Sequence, residues 1–285
     1  MNNKTVSVVI PSFNRAHVLN DTIPSYFQDN VIEVIVVNDA STDNTKSVLS
    51  ILKSKYQNLV TVDNDINIKQ TGSKNKGIEI ARGDYIFFGD DDSILQPNAI
   101  NLLMSQLDKY DVAGCRALYM IDSDQSIDEC IRRHDKFGKF TCDLDMLSFE
   151  YKARLSHPVA CNYTHACFMT RTDLARAHKF NTAYIGNAYR EETDYLLSCY
   201  NDGATAVFVS DAVIVNLPPR LAAGGGARGK SKIMYQWYSF YNNWLFLQSN
   251  NHIINKLTGT NKSSLTRMSY FIIEKLSGLI NKFRK

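Results

Sequence analysis

The sequence predicts an α/β fold built on a mostly parallel, doubly wound sheet. Through the first 110 residues, short apolar runs rich in β-branched side chains alternate with segments of helical spacing. Because parallel strands need a crossover between them, this alternation indicates right-handed βαβ units. Three acidic residues, Asp90, Asp91 and Asp92, also follow the apolar run at residues 85–88, at the strand end where open α/β sheets bind ligands. We therefore expect a ligand site at the carboxyl edge of the sheet.

The elements of the first part follow one another in a regular order. The predicted strands cover residues 5–10, 32–37, 59–62 and 85–88, and the predicted helices cover residues 16–27, 45–53 and 72–81. Pro11 is expected to end the first strand because it has no N–H to donate to a neighbour. Pro24 is expected to disturb the first helix for the same reason.

The second part of the chain is less regular. Strands are predicted at residues 112–120, 158–170, 204–209 and 213–215, and helices at residues 172–178 and 190–203. The charged segment 122–140 is interpreted as an insertion or a mobile loop. From Ile233 onward the chain is predicted to be helical, first aromatic and then amphipathic. We expect one domain over residues 1–232, whose halves meet near residue 110, and a helical extension over residues 233–285.

Composition places the chain among folded proteins that do not span a membrane. Its 285 residues are 44% hydrophobic and 21% charged, which is enough apolar material for a large core. Apolar runs stay well short of the roughly 18 residues of a membrane span. The start resembles a first strand and lacks the cleavage pattern of a signal peptide. The six cysteines have no zinc-like spacing, so we expect reduced thiols in the cytoplasm.

The net charge of +3 is unevenly distributed. Seven basic residues and a single acidic one, Glu274, lie between Asn251 and the end of the chain, so the preceding part is net negative. A nucleic-acid-binding body would carry its own basic face, so we expect no nucleic acid partner. Apolar residues of the tail fall at helical spacing from Leu265 to Phe283. Such a helix can lie on an anionic membrane, or it can pack on the body or on a second subunit in a homo-oligomer.

Three consecutive carboxylates follow the aromatic strand predicted at residues 85–88. Asp90, Asp91 and Asp92 repel one another unless a cation or a set of donors offsets their charge. In an extended chain neighbouring side chains alternate, so Asp90 and Asp92 can face one divalent ion while Asp91 turns away. A solvated acidic turn before the next helix is the alternative.

With these pieces in order, the sequence resembles the family 2 glycosyltransferases of the GT-A (Rossmann-like) fold. The resemblance covers roughly residues 5–245 and rests on several motifs in the family's order. These are Val6-Ser-Val-Val-Ile-Pro-Ser-Phe-Asn14, Asn38-Asp39-Ala40-Ser41-Thr42-Asp43-Asn44-Thr45, Lys74-Asn75-Lys76-Gly77, Asp90-Asp91-Asp92 and Arg190-Glu191-Glu192. The family contains inverting, nucleotide-sugar-dependent enzymes, and the lack of a Gln-x-x-Arg-Trp motif favours a non-processive member.

The resemblance implies a role for each matching residue. Asp39 is expected to meet the uracil of a UDP-sugar. Contacts with the donor are expected from Pro11, Ser12, Phe13, Asn14, Arg15, Asp39, Lys74, Asn75, Asp90, Asp91 and Arg228. Asp90 and Asp92 are expected to hold Mn²⁺ or Mg²⁺ on the diphosphate, with Asn216 where many relatives have a metal-binding histidine.

The same resemblance makes Glu192 the expected general base, with Glu191 and Asp194 as further candidates. The base would take the proton of an acceptor hydroxyl as that oxygen attacks the anomeric carbon. An acidic first helical turn placed against the helix dipole is the structural alternative. Close acids should also raise at least one pKa. Asn38 and Ala40 depart from the family's acid and glycine.

Several readings stay open at this point. The loop from Gly224 is expected either to close over the donor, bringing Arg228 to the diphosphate, or to be a surface linker. Gly224–Ser231 also fits the phosphate-binding pattern G-x-x-x-x-G-K-[ST], so a P-loop nucleotide hydrolase is a rival. A nucleotide-sugar-binding protein without transferase activity is another.

Acceptor and location follow only from family analogy. The analogy suggests that the acceptor is a glycan or polyprenyl-linked glycan in O-antigen or capsule biosynthesis. It also suggests a cytoplasmic protein, peripheral on the inner face of the cell membrane if the tail binds lipid. His165, like the other histidines considered, is assigned to the core or the surface.

Overall fold

The computed structural model describes residues 4–225 and 231–283, and their side chains except those of residues 277–283. Its first part is a parallel sheet in the order β3-β2-β1-β4. The strands are β1 (Val6–Ser12), β2 (Val31–Asn38), β3 (Leu59–Asp63) and β4 (Tyr85–Phe88), with the crossover helices α2 (Thr45–Lys55) and α3 (Lys69–Ile80). These elements confirm the predicted alternation. Neighbouring side chains of β4 enter different cores, because Phe87 packs on one face of the sheet and Phe88 on the other.

Pro11 does not end the first strand, contrary to the prediction. The carbonyl of Val9 accepts from the N–H of Gly89, just after β4, and the carbonyl of Ser12 accepts from the N–H of Asp39, just after β2. Successive residues of a parallel strand form their hydrogen bonds with the neighbouring strands on opposite sides. The nitrogen of Pro11 therefore faces the side of β4, and β4 has already ended at this level. A missing N–H costs nothing where no strand is there to accept from it.

The first helix is short and irregular, as Pro24 predicted. Helix α1 (Leu19–Thr22) continues as a 3₁₀ turn, Ile23–Tyr26, with the proline in its first turn. Because proline has no N–H, that position suits it. The prediction of a helix over residues 16–27 was therefore too long.

The second part adds five strands to the same sheet. They are β5 (Ser93–Leu95), β6 (Val112–Tyr119), β9 (Val159–Cys161), β10 (Phe168–Arg171) and β11 (Ala206–Asn216). β10 runs antiparallel between β4 and β6, β6 and β11 are parallel, and β5 and β9 pair antiparallel with β11. The strand predicted at residues 158–170 is two strands joined by an irregular loop. The two strands predicted at 204–215 are one, bulged between Val209 and Val213.

The interpretation of segment 122–140 as a mobile loop was wrong, and its interpretation as an insertion stays a prediction. The segment contains α5 (Ile127–Phe137), which a reciprocal capping box begins: Ser126 Oγ accepts from the Glu129 N–H and Glu129 accepts from the Ser126 N–H. Ser-x-x-Glu is a sequence signature of a helix start. A hairpin of β7 (Phe140–Asp143) and β8 (Ser148–Tyr151) follows.

The remaining helices are α4 (Ala99–Met104), α6 (Thr172–Ala177), α7 (Glu191–Asn201), α8 (Lys232–Thr258) and α9 (Ser264–Phe283). α8 packs against α7 and α9. The buried Arg267 of α9 contacts Asp145 and the side chains of Asn251 and Asn255, which joins the corner between α8 and α9 to the loop after β7. In the described part of the chain, no helix is both long and apolar enough to cross a membrane.

Candidate functional site

The carboxyl ends of β1, β2 and β4 meet at a cavity of about 270 Å³. Eight residues predicted to bind a donor or a metal line it: Pro11, Ser12, Phe13, Arg15, Asp39, Asp90, Asp91 and Asp92. Its other lining residues are Asn67, Lys69, Gln70, Gly186, Asn187, Gly225 and Tyr235. Because parallel strands end at a common edge, motifs that are far apart in sequence converge here.

The turn after β1 is tied to the polar turn after β2. Asn14 Oδ1 accepts from the Thr42 N–H at 2.8 Å, and the Arg15 N–H donates to Thr45 Oγ1 at 3.0 Å. Asn14 has a φ of 54°, a left-handed conformation that asparagine tolerates. Asn14 is not among the lining residues. In this structure it joins the two motifs to each other.

Asp39 lies at the end of β2 and is fixed by its neighbours. Its Oδ1 accepts from Asn64 Nδ2 at 2.9 Å and from the Ile68 N–H at 2.8 Å. The segment from Asn64 that supplies these donors also contributes Asn67, Lys69 and Gln70 to the cavity, and sequence reasoning missed it. The signal was present, since a polar run follows β3 and parallel strands end at one edge.

Asn38, which departs from the family's acidic pattern, has a local partner. Its amide donates to Asp63 Oδ1 at 2.7 Å, because Asn38 and Asp63 are opposite each other in the ladder of β2 and β3. A carboxylate at position 38 would face that of Asp63, and adjacent like charges are unfavourable. The amide therefore suits this pairing.

Ala40, which stands where the family has glycine, is strained. Its φ is 57°, and a Cβ in the left-handed region costs roughly 1–2 kcal/mol. We expect Ala40→Gly to raise the free energy of unfolding by about 0.5–1 kcal/mol, because strain relief exceeds the added chain entropy of the unfolded state. Urea titration measures the change, with Ala204→Gly, outside the left-handed positions, as the control. A destabilised Ala40→Gly would show that the strain is absent.

The acidic turn binds an arginine of the same cavity. Arg15 Nε lies 3.3 Å from Asp91 Oδ1, and its Nη2 lies 3.2 Å from Asp92 Oδ2. The predicted alternation of the three acids is wrong because residues 91 and 92 form a turn, not an extended chain. Burial raises the pKa of Asp91 to about 7, although Arg15 acts in the opposite direction. Arg15 thus offsets part of the repulsion.

The backbone of this turn is held from below by the first helix. Tyr26 OH donates to the Asp90 carbonyl at 2.7 Å and accepts from the Asp90 N–H at 3.2 Å. Thr22 Oγ1 donates to the Asp91 carbonyl at 2.9 Å, and the Leu217 N–H donates to the Asp92 carbonyl at 2.9 Å. The carboxylates are therefore presented by a fixed backbone.

The glycine-rich segment after β11 packs on the β1 turn. Gly224 has a φ of 98°, and a Cβ there would lie 2.7 Å from the carbonyl of Asn14. Arg15 donates to the carbonyl of Ala222 as well as contacting the acids. Arg228 and Lys230, on which the donor-contact and P-loop predictions depend, lie outside the described residues. The P-loop context is nonetheless missing, because seven residues separate the end of β11 at Asn216 from Gly224 and no further strand follows in the described residues.

Lys74 and Asn75, predicted to contact the donor, point elsewhere. Lys74 is fully buried and donates to Glu191 Oε1 at 2.5 Å, while Asn75 exchanges two hydrogen bonds of 2.8 Å with the backbone of Phe180. Both lie on α3, which packs on β1 and β2 and also contacts α6. In this structure the two residues therefore support the site and do not form the surface of the cavity.

The three candidate bases lie in the first turn of α7, and each has a different neighbour. Glu191 is buried, bonded to Lys74 and to Gln70, and burial raises its pKa to about 7. Glu192 is half-buried, and its Oε1 accepts from Tyr163 OH at 2.9 Å. Asp194 faces α8, where Asn250 donates to it, and burial raises its pKa. A neighbouring acid, Glu192, adds to the rise in the pKa of Glu191 as expected, but burial is its main cause, and in Asp194 no neighbouring acid contributes.

Glu192 and Asp90 lie near a common imidazole. Burial lowers the pKa of His165, while the charges of Asp90 and Glu192 act to raise it. The predicted base and the predicted metal ligand thus act on one side chain. Neither Glu191, Glu192 nor Asp194 is among the lining residues of the cavity.

The side chains that could ligate a metal in this cavity suit an ion that is held jointly by the protein and a bound ligand. Among the described residues, no three His, Cys, Asp or Glu side chains come together as a complete site. Asp90 and Asp92 both line the cavity, and Mg²⁺ commonly takes one or two carboxylates with phosphate oxygens and water. Asn216 accepts from Ser93 Oγ at 2.9 Å and donates to the Leu118 carbonyl, so its amide contacts the sheet.

The chain is similar to known proteins in sequence and in fold. The chain is 37% identical over 107 residues to the GalNAc(5)-diNAcBac-PP-undecaprenol beta-1,3-glucosyltransferase of Campylobacter jejuni, covering 35% of this chain and 34% of that protein. It is 32% identical over 100 residues to the poly(ribitol-phosphate) beta-glucosyltransferase of Bacillus spizizenii, covering 33% and 16%. The matched segments thus span about a third or less of these relatives.

Solved structures share the fold. The crystal structure of S. aureus TarS 1-349 in complex with UDP-GlcNAc matches with a TM-score of 0.60 and 16% identity, covering 86% of this chain and 66% of that one. TarS 1-349 alone matches with a TM-score of 0.57 and 17% identity, covering 89% and 83%. These likenesses confirm the predicted GT-A fold. The profile described as Glycosyl transferase family 2 matches residues 7–178, more than half of the chain, and the chain therefore belongs to that family.

Proposed function

We propose that the protein is an inverting glycosyltransferase that moves a sugar from a nucleotide-diphosphate sugar, with UDP-sugars favoured, to a hydroxyl of a glycan. The observation that carries the proposal is the convergence of Asp39, the Asp90–Asp92 turn and the β1 turn on one cavity. The family membership and the relatives' printed activities support it.

Each residue of the site has a task in this reaction. Asp39 accepts the imide N–H of the base, and its fixed carboxylate is suited to that contact. Asp90 and Asp92 hold a divalent metal, Mn²⁺ or Mg²⁺, which neutralises charge on the leaving diphosphate when bound. Arg15 lies beside the same phosphates and adds a cation. Glu192 takes the proton of the acceptor hydroxyl as its oxygen attacks the anomeric carbon from the opposite face.

The acceptor and the place of action belong to the same proposal. The Campylobacter relative is named for an undecaprenol-linked acceptor, and WfgD of Escherichia coli, 26% identical over 129 residues, for a diphosphoundecaprenol-linked one. We infer a polyprenyl-linked glycan in cell-surface polysaccharide synthesis, and a position on the inner face of the cell membrane. Such an acceptor remains in the bilayer, so the enzyme must meet the lipid surface.

The proposed binding of a nucleotide-sugar donor is tested by thermal stabilisation. We expect one of UDP, GDP, CDP or dTDP to raise the Tm in the presence of Mn²⁺, because a ligand that binds only the native state stabilises it. The rise should vanish in Asp92→Asn, which keeps the shape but not the charge. Asp63→Asn, a carboxylate outside the lining residues, is the matched control and should respond as the parent does.

The rival functions predict other outcomes. A response to ATP alone, unaffected by Asp92→Asn and lost in Lys230→Met, would replace the transferase by a P-loop hydrolase. Nucleotide binding without any diphosphate release in the presence of donor sugar and acceptor would indicate a binding protein. Stabilisation by a diphosphate that persists without Mn²⁺ would contradict the metal site.

The helices α8 and α9 carry the surface that we assign to the bilayer. Trp237, Tyr241 and Trp244 form an exposed stripe on α8, at spacings of four and three residues. On α9, Leu265 and Leu276 are 70% and 53% exposed.

The apolar face of α9 therefore points away from the body, and the other side of the helix packs on it. Phe271, on that packed side, contacts the ring of Phe240 of α8 at 5.3 Å. Aromatic and aliphatic stripes near basic residues suit an anionic lipid surface. Lys262 and Arg267 are excluded from this role, because both contact Asp145.

The two tryptophans of the chain both lie in this stripe, so their fluorescence reports on it. We expect a blue shift and flotation with phosphatidylglycerol vesicles, much weaker with phosphatidylcholine, and loss of both in Ile273→Ser/Leu276→Ser. Ile66→Ser, an equally exposed site elsewhere, is the control. A blue shift that depends on protein concentration without lipid would assign the surface to a second copy of the chain instead.

A further inference from the structure

One short loop contacts three separate parts of the site. The loop between β9 and β10, residues 162–167, contacts Glu192, Tyr119 and Asp90 through Tyr163, His165 and Cys167 in turn. The respective distances, from Oη to Oε1, from Nε2 to Oη and from Sγ to Oδ2, are 2.9, 2.9 and 3.5 Å. Three residues of one loop thus contact three different elements, which are the first turn of α7, the end of β6 and the acidic turn after β4.

Sheet topology explains why these groups meet. β10 runs antiparallel to both β4 and β6, so β4 and β6 point in the same direction. The carboxyl end of β4 with Asp90, the carboxyl end of β6 with Tyr119 and the start of β10 therefore share one edge. The loop that precedes β10 lies between them, beside the first turn of α7.

The hydrogen bonds of His165 and Tyr119 define which of their atoms can donate. The Cys167 N–H donates to His165 Nδ1 at 3.3 Å, so Nδ1 carries no proton. Because Nδ1 accepts, the proton of the imidazole is on Nε2. Nε2 then donates to the oxygen of Tyr119. The hydroxyl proton of Tyr119 remains to be donated to a further group, and the side chain is 41% exposed.

We propose that Tyr119 binds a hydroxyl of the acceptor sugar, and that His165 is the positioning residue that orients it. This inference rests on the proposed function, because it places the acceptor beside Glu192. The ligand class is a neutral saccharide ring. A sugar hydroxyl can accept from the phenol without placing a further charge beside the Glu192 carboxylate.

The experiment measures acceptor and donor binding separately. The parent protein, saturated with Mn²⁺ and the diphosphate that stabilises it, is titrated with p-nitrophenyl β-glycosides of glucose, galactose, GlcNAc and GalNAc, observed by ligand NMR. We expect Tyr119→Phe to raise the glycoside Kd five- to tenfold through the lost hydrogen bond, and to leave the diphosphate Kd unchanged. Tyr56→Phe, stacked on Phe27 in another part of the fold, is the matched control.

Two histidine variants separate positioning from folding. His165→Gln can keep a donor near the Nε2 position and should retain most of the glycoside affinity. His165→Leu removes it and should match Tyr119→Phe. An unchanged glycoside Kd in Tyr119→Phe, or an equal loss of diphosphate affinity, would overturn the inference. So would a parent that binds the diphosphate but none of the glycosides, whereas a parent that binds no diphosphate contradicts the proposed function itself.

Discussion

Glu192→Gln is expected to lower kcat roughly 10²- to 10⁴-fold, which is the usual contribution of a positioned general base. The amide has the same shape as the carboxylate but cannot accept the proton of an acceptor hydroxyl. Tyr163 OH can still donate to the amide oxygen, so the local structure should persist. Stabilisation by Mn²⁺ and the nucleoside diphosphate should therefore be that of the parent. Diphosphate release in the presence of acceptor measures the rate.

The neighbouring acids supply the controls for this substitution. Asp194→Asn should keep most of the activity, because Asp194 faces Asn250 of α8. Glu191→Gln should lower the Tm, since it disturbs a buried pair with Lys74. A Glu192→Gln variant within threefold of the parent rate would contradict the assignment. If Asp194→Asn were then the inactive variant, the base would be the next acid along α7.

The edge of the sheet that carries the site could be predicted from sequence for a simple physical reason. A parallel sheet places all its carboxyl strand ends together, so any polar residue directly after a buried strand is near every other. The Asp90–Asp92 turn was found in this way, whereas Asp39 was found through the family resemblance, and both line one cavity. The same rule, applied to the polar run after β3, would also have found Asn67 and Gln70.

Residues on helices could not be placed by that rule. A motif identifies a position on a helix, but the direction of the side chain depends on how the helix lies on its neighbours. Lys74, Asn75 and Asp194 are close to the site in sequence terms, yet they contact Glu191, Phe180 and Asn250. Contacts between residues that are far apart in the chain could not be predicted from the sequence either. His165 and Tyr119 are 46 positions apart, and only the antiparallel insertion of β10 brings them together.

Lys74→Met is expected to reduce the free energy of unfolding by about 3–5 kcal/mol at pH 8, because it leaves a buried carboxylate without its cation. Lys74 and Glu191 are 0% and 1% exposed, so solvent cannot replace the lost partner. The matched control is Lys179→Met, which removes the ammonium from an exposed ion pair with Glu79, 50% and 58% accessible. That pair should contribute no more than about 1 kcal/mol. Urea titration of both variants measures the difference.

The loss in Lys74→Met should depend on pH with a definite sign. Burial raises the folded-state pKa of Glu191 to about 7, above its ordinary value of 4.5. Stability that comes from a raised pKa is fully present below the unfolded value and is lost as the pH rises through the folded value. Without Lys74 the folded pKa rises further. The variant should therefore lose further stability relative to the parent between pH 7 and 8, by at most about 1.4 kcal/mol, and its deficit should be smaller near pH 5.

A double variant distinguishes an unpaired charge from simple loss of packing. In Lys74→Met/Glu191→Leu both charges are replaced by apolar groups, and such replacements of buried pairs are often neutral or stabilising. We expect it to recover most of the stability lost in Lys74→Met and to lose the pH dependence. If the double variant were as unstable as the single one at every pH, the pair would act through shape alone. Its charges would then have no part in fixing the first turn of α7 on which Glu192 lies.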